Sequence, residues 1–125
     1  MNASSHYAAP VYLDTELALS QIGDAQAMQG MLAMLEESLG HDVPQIEHLL
    51  EAGDVVGANH LLHPLKGFIP IFCGPVLCEL VTRVEMLSKN GNSTEVATAY
   101  ALLKPELNQL LSEVSAYLNE NGAAA

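Results

Sequence analysis

The sequence predicts an all-α protein: an antiparallel up-down-up-down four-helix bundle with a short extra N-terminal helix. Three observations carry this reading. Almost every stretch between turns repeats its apolar residues at helical spacing, no segment alternates with the β-branched enrichment a strand needs, and the connections between periodic segments are short. At 125 residues the chain holds one core of ordinary size and reads as a single domain over 1–125, with the bundle at about 24–119. Its start at Met1 reads as a stand-alone protein.

The short helix fits about residues 14–22, "DTELALSQI", with Asp14 as N-cap and Gly23 ending it. Asp24 caps a second helix from Ala25 to Ala52, whose stripe is Met28, Met31, Leu32, Leu35, Val43, Ile46, Leu49 and Leu50, with bends expected at Gly40 and Pro44. Gly53 closes it, and Asp54 caps a third helix buried through Val55, Leu62, Leu65, Ile69 and Phe72. The fourth, Pro75 to Lys89, has proline in its first turn and buries Leu77, Leu80, Val81, Val84 and Leu87. After the turn "NGNS", the last helix runs from about Thr94 to Asn119. It places Tyr100, Leu103, Leu107, Leu110, Val114 and Tyr117 on one seam, with a kink expected at Pro105 and a frayed tail at 120–125.

Fifteen acidic residues against four basic ones give a formal charge of −11, which repels nucleic-acid phosphates and anionic membrane surfaces. No apolar run approaches the roughly 20 residues of a membrane-spanning helix, and "MNASSHYAAPVY" lacks the basic start of a signal peptide. A monomeric, cytoplasmic protein is expected. Cys73 and Cys78, five apart on one helical stretch, read as two reduced thiols rather than a disulfide.

The chemistry concentrates in "HLLHPLKGF", residues 60–68, which holds two of the five histidines and the first basic side chain of the chain, Lys66. At about 100° per residue, the stripe through Leu62, Leu65 and Ile69 leaves His63 roughly 130° away, facing solvent. One turn further on the same face stands Gly67, which costs the helix about 1 kcal/mol relative to alanine but lets a large partner approach the imidazole. Lys66 lies on the flank of that face. An exposed neutral imidazole with an adjacent ammonium suits transient capture of a phosphoryl group, the ring as nucleophile and the lysine offsetting charge on the phosphoryl oxygens.

"HPLKG", His63 to Gly67, resembles the H-x-L-K-G signature of histidine-containing phosphotransfer (HPt) domains, carriers that pass phosphoryl groups between receiver domains in multistep two-component signalling. "GDAQAMQGMLAMLEESL" resembles the family's second helix, "AGDVVGANHLLHPLKG" its Gly-Asp turn and histidine helix, and Leu77 and Glu85 fall where the family has a leucine and a glutamate. The likeness covers about residues 14–119. It implies that His63 accepts the phosphoryl group, Lys66 neutralises it and Gly67 keeps the site open. It also implies partners that are response-regulator receiver domains, including those of hybrid sensor kinases. No cofactor is expected on this chain, magnesium coming with the receiver. Val56, Asn59, His60 and Pro70 are expected around the docking face. Pro64, Phe68 and Cys73 depart from the family pattern, and Pro64 is expected to remove a backbone donor and crowd the carbonyl of His60.

Other readings stand beside this one. His60 and His63 form an i, i+3 pair that could ligate zinc with His48 or a carboxylate as third ligand. An HPt-like bundle could also serve as a docking or inhibitory module without chemistry. An autonomous enzyme finds no glycine-rich phosphate loop and no G-x-S-x-G, so His63 is not expected to phosphorylate itself.

Overall fold

The computed structural model describes residues 10–122. Five α-helices follow one another: α1 Thr15–Ile22, α2 Ala25–Glu51, α3 Val55–Phe72, α4 Pro75–Asn90 and α5 Ser93–Tyr117, the last continuing into a π-helical turn, Leu118–Gly122. Among the described residues there is no strand, only an isolated antiparallel bridge between Leu13 and Cys73. Of the tail expected to fray, 120–125, residues 120–122 instead belong to this π-helical turn, and 123–125 lie outside the described residues.

The starts of four of the five helices are set by side chains, and α4 starts instead with Pro75 in its first turn. Asp14 accepts from the Leu17 amide at 3.0 Å, Asp24 from Ala27 at 2.7 Å and Asp54 from Gly57 at 2.8 Å, each satisfying an amide the helix itself leaves unpaired. Asn92 and Glu95 form a reciprocal capping box at the head of α5. Gly23 and Gly53, at φ of 86° and 77°, take the left-handed conformation that turns the chain out of α1 and α2 at little steric cost.

Helix α2 packs on α5 and α3, and α4 packs on α3 and α5, with α1 against α2 and α3. The core between them is Leu32, Leu35, Leu39, Ile46, Leu62, Leu65, Ile69, Phe72, Leu77, Leu103, Leu107 and Leu110, all essentially inaccessible. Burying each such side chain stabilises the fold by about 1.5 to 3 kcal/mol. Leu39, Ala58 and Val96 join this core although the periodicity alone did not single them out, whereas Met31, Leu49, Val55, Leu80, Leu87 and Tyr117 sit half-buried at its margin.

The internal prolines do not break their helices. Pro44, Pro64, Pro70 and Pro105 all lie inside continuous helical stretches. Each is on the exposed side. A carbonyl deprived of its amide partner there faces water, so the crowding expected at His60 is accommodated without interrupting α3.

A second polar anchor was not legible in the sequence. Glu113 of α5, nearly buried, accepts from the amides of Val11 at 2.7 Å and of Tyr12 and Leu13 at 2.9 Å, and from Gln109 at 2.8 Å. Burial works against its ionisation, but these four donors outweigh it and hold the carboxyl below its ordinary range. The segment before α1 is thereby clamped to α5, and the Asp14 amide ties it to the Phe72 carbonyl at 2.8 Å.

Candidate functional site

Burial of Leu62, Leu65 and Ile69 turns the opposite side of α3 outward, as the angular reading expects, and the His63 side chain is 63% exposed. Gly67 stands open beside it, and a Cβ built there meets nothing within 4 Å. A depression of about 280 Å³ adjoins it, lined by Ser38 and Asp42 of α2 and by Pro64, Leu65, Gly67 and Phe68. Phe68 turns aside, its ring edge-on to Phe72 with centroids 5.4 Å apart. Val56, His60 and Pro70 are exposed around this face. Asn59, expected on its rim, is half-buried instead and directs its amide inward.

What Asn59 turns toward is Glu85. The buried stripe of α4 runs Leu77, Val81, Val84, Glu85 and Ser88, so a carboxylate occupies a core position with no exposed surface. Burying an isolated carboxylate costs several kcal/mol, and the side chains around this one offset that cost. His63 Nδ1 lies 3.2 Å from Oε2, Lys66 Nζ 3.2 Å from Oε1 and Lys89 Nζ 3.5 Å from Oε2. Asn59 Nδ2 donates to Oε2 at 3.2 Å and to Ser88 Oγ at 2.8 Å, and Ser88 Oγ donates to the Glu85 carbonyl at 2.6 Å. Burial by itself pushes the Glu85 pKa up, yet the contacts with His63, Lys66 and Asn59 and the charge of Lys66 prevail and bring it down to about 2.

The proton on the imidazole follows. An ionised carboxylate only accepts, so His63 Nδ1 must be the donor. In the neutral ring the second nitrogen, Nε2, then carries the free lone pair. Glu85 thus sets the tautomer and orientation of the neutral ring and gathers two ammonium groups on the same carboxylate.

The position of Glu85 was partly legible. Extending the Leu77, Val81, Val84 period lands on Glu85 and Ser88, but only the packing of α4 on α3 reveals their partners. Among the described residues no group of three or more His, Cys, Asp or Glu is placed to hold a metal ion, so the zinc reading of His60 and His63 gains no third ligand. Cys73 is buried and Cys78 half-buried, both as free thiols, with Cys78 Sγ 3.6 Å from the Cys73 carbonyl. Burial pushes the Cys73 thiol up to about 12, which keeps it protonated and unreactive.

The linkage to stability has a definite sign. A carboxyl whose folded pKa is depressed from 4.5 to about 2 contributes stability that is fully present above 4.5 and is lost as the pH falls through about 2. Glu85→Gln is therefore expected to lower unfolding free energy by about 1 to 3 kcal/mol at pH 6, a deficit that narrows between pH 4.5 and 2. Chemical denaturation of both proteins across this range measures it; a deficit independent of pH would mean the carboxylate charge is not what the site stabilises.

Comparison with known proteins bears on the family and the fold. The sequence model of the Hpt domain matches residues 30–117. The crystal structure of the HPt domain from a sensor hybrid histidine kinase of Shewanella superposes with a TM-score of 0.76 at 25% sequence identity, covering 86% of this chain and 94% of that one. A search of curated protein sequences gave no significant match. The fold and the family match define a histidine phosphotransfer protein of two-component phosphorelays, a class of phosphoryl carriers rather than enzymes, whose counterparts are receiver domains of response regulators or hybrid kinases. The chain belongs to the Hpt domain family.

Proposed function

We propose that His63 is the residue that carries the phosphoryl group, accepting it from the aspartyl phosphate of one receiver domain and passing it to the aspartate of another. The observation that carries this reading is the pairing of His63 Nδ1 with the fully buried Glu85, which leaves Nε2 as the nucleophile on an exposed ring. The Nε2 lone pair attacks phosphorus. The N–P bond forms as the acyl phosphate P–O bond breaks, and the receiver carboxylate leaves with that electron pair. The ring becomes cationic, and the Glu85 carboxylate at Nδ1 stabilises that charge. Transfer to the next aspartate reverses these steps.

Lys66 offsets charge on the phosphoryl oxygens. Its ammonium rests on Glu85 Oε1 with the side chain 31% exposed, so Lys66 and His63 meet on the one carboxylate. Lys66→Ala is expected to slow transfer about 10-fold to 100-fold, equivalent to about 1.4 to 2.7 kcal/mol of barrier, with the fold retained. Rapid-quench transfer assays measure the rate, and an unchanged rate would reduce Lys66 to a partner of Glu85 alone.

The receiver docks over Val56, His60, Gly67 and Pro70, with Asn59 beneath this face rather than on its rim. Magnesium comes with the receiver, and His63 takes its phosphoryl group from that partner. No described helix is long and apolar enough to cross a membrane. We take the Hpt domain to act as a monomer in the cytoplasm. Connections as short as residues 52–54, 73–74 and 91–92 favour antiparallel neighbours, and we take α2 to α5 to run up-down-up-down. Incubating the protein with phosphorylated receiver domains and following the label tests the reading. Acid-labile phosphate moving onto this chain supports it; retention of all label on every receiver, under conditions where an established carrier is labelled, contradicts it.

A further inference from the structure

The chain has only four basic residues against fifteen acidic ones, and two of the four, Lys66 and Lys89, place their ammonium groups on the single carboxylate of Glu85. Lys66 sits on the same helix as His63. Lys89 arrives from the last turn of α4, and its Nζ contacts Oε2, the same oxygen that His63 Nδ1 contacts. Two local effects favour a lysine there, the α4 C-terminal dipole and the i, i+4 pairing with Glu85. Each is a small effect at an exposed position. Neither explains why a second ammonium is brought to a carboxylate already matched by Lys66.

Charge balance suggests the reason. With the imidazole neutral, Glu85, Lys66 and Lys89 together carry an excess of one positive charge, in a protein whose formal net charge is −11. That excess lies beside the ring expected to take on a phosphoryl group of charge about −2; with the ring then cationic, one ammonium would leave the loaded site negative by about one charge, and the second brings it close to neutral. Lys89 is 48% exposed on a flexible stem, so its ammonium can leave Oε2 without unpacking any core residue.

We propose that Lys89 is a second phosphoryl-binding cation, reaching across from α4 to the oxygens of the group carried on His63. Lys66 and Lys89 then hold the phosphoryl group from two helices, and Glu85 stores both ammonium groups while the histidine is empty. This inference rests on His63 being the acceptor, and the test separates the two.

Potassium phosphoramidate serves as the probe because it needs no partner. The imidazole attacks its phosphorus, an N–P bond forms on the ring, and the P–N bond of the reagent breaks to release ammonia. The phosphohistidine ³¹P resonance that disappears in His63→Gln reports on His63, and its shift against pH gives the second ionisation of the phosphoryl group. Lys89→Ala should raise that pKa by about half a unit or more, because a nearby cation favours the dianion. Lys89→Arg should stay near the wild type, and circular dichroism should show the same helix content in all variants. Identical phosphoryl titration in wild type and Lys89→Ala overturns the proposal while leaving His63 as acceptor. A spectrum in which His63→Gln removes no resonance overturns the acceptor assignment and this inference with it.

Discussion

Replacing His63 with glutamine is expected to take phosphoryl labelling from a phosphorylated receiver below detection, while His60→Gln leaves it intact. The two histidines stand three residues apart on α3 and are both exposed. Only His63 reaches the buried Glu85 carboxylate. Without a partner on one ring nitrogen, an imidazole samples both tautomers and several orientations; with Glu85 on Nδ1, the lone pair of His63 is held on Nε2. Glutamine is close to the same size and can still donate to Glu85, so stability should change by no more than about 1 kcal/mol. Labelling is read by autoradiography after receiver incubation. Loss of label in His60→Gln, with His63→Gln active, would assign the chemistry to the wrong turn of the helix.

Gly67→Leu should block transfer almost as completely, for a different reason. In-line transfer brings the imidazole nitrogen within about 3 to 3.5 Å of phosphorus, which requires the α3 face to lie flush against the receiver. A side chain one turn beyond the ring holds the two surfaces apart. The structure makes this a clean experiment, because a Cβ at position 67 meets nothing within 4 Å and the backbone there is ordinary helix. Leucine is the better helix former, so the variant should be as stable as the wild type or up to about 1 kcal/mol more so. Transfer at the wild-type rate by a folded Gly67→Leu protein would show that the partner uses another face.

The sequence disclosed the helices because each buries a stripe at a helical period and begins at an Asp, Asn or Pro whose capping role is local. It disclosed the outward face of α3 for the same reason: His63, Lys66 and Gly67 are placed by the stripe of the helix that carries them. It did not disclose what the imidazole rests on. Glu85 lies 22 positions from His63, and the reach of Asn59 into Glu85 and Ser88 depends on how α3 and α4 pack. A glutamate on a helix is ordinarily solvated, and only its neighbours across the helix pair explain its complete burial. Glu113 was hidden in the same way, since its donors are backbone amides about a hundred positions away, in a segment without its own periodic signal. The prolines do not interrupt the helices that carry them. All of them fall on the exposed side of α2, α3 and α5, where a carbonyl without its amide partner is open to water.

The central claim is that a receiver's phosphoryl group is received by Nε2 of His63 while Nδ1 keeps its proton on Glu85. The most direct measurement is ¹⁵N NMR of histidine-labelled protein after transfer from a phosphorylated receiver domain, reading the ³¹P–¹⁵N coupling in the product. Coupling to Nε2 of His63, with Nδ1 still protonated, is the predicted result; coupling to Nδ1, or to a nitrogen of any other histidine, would contradict it.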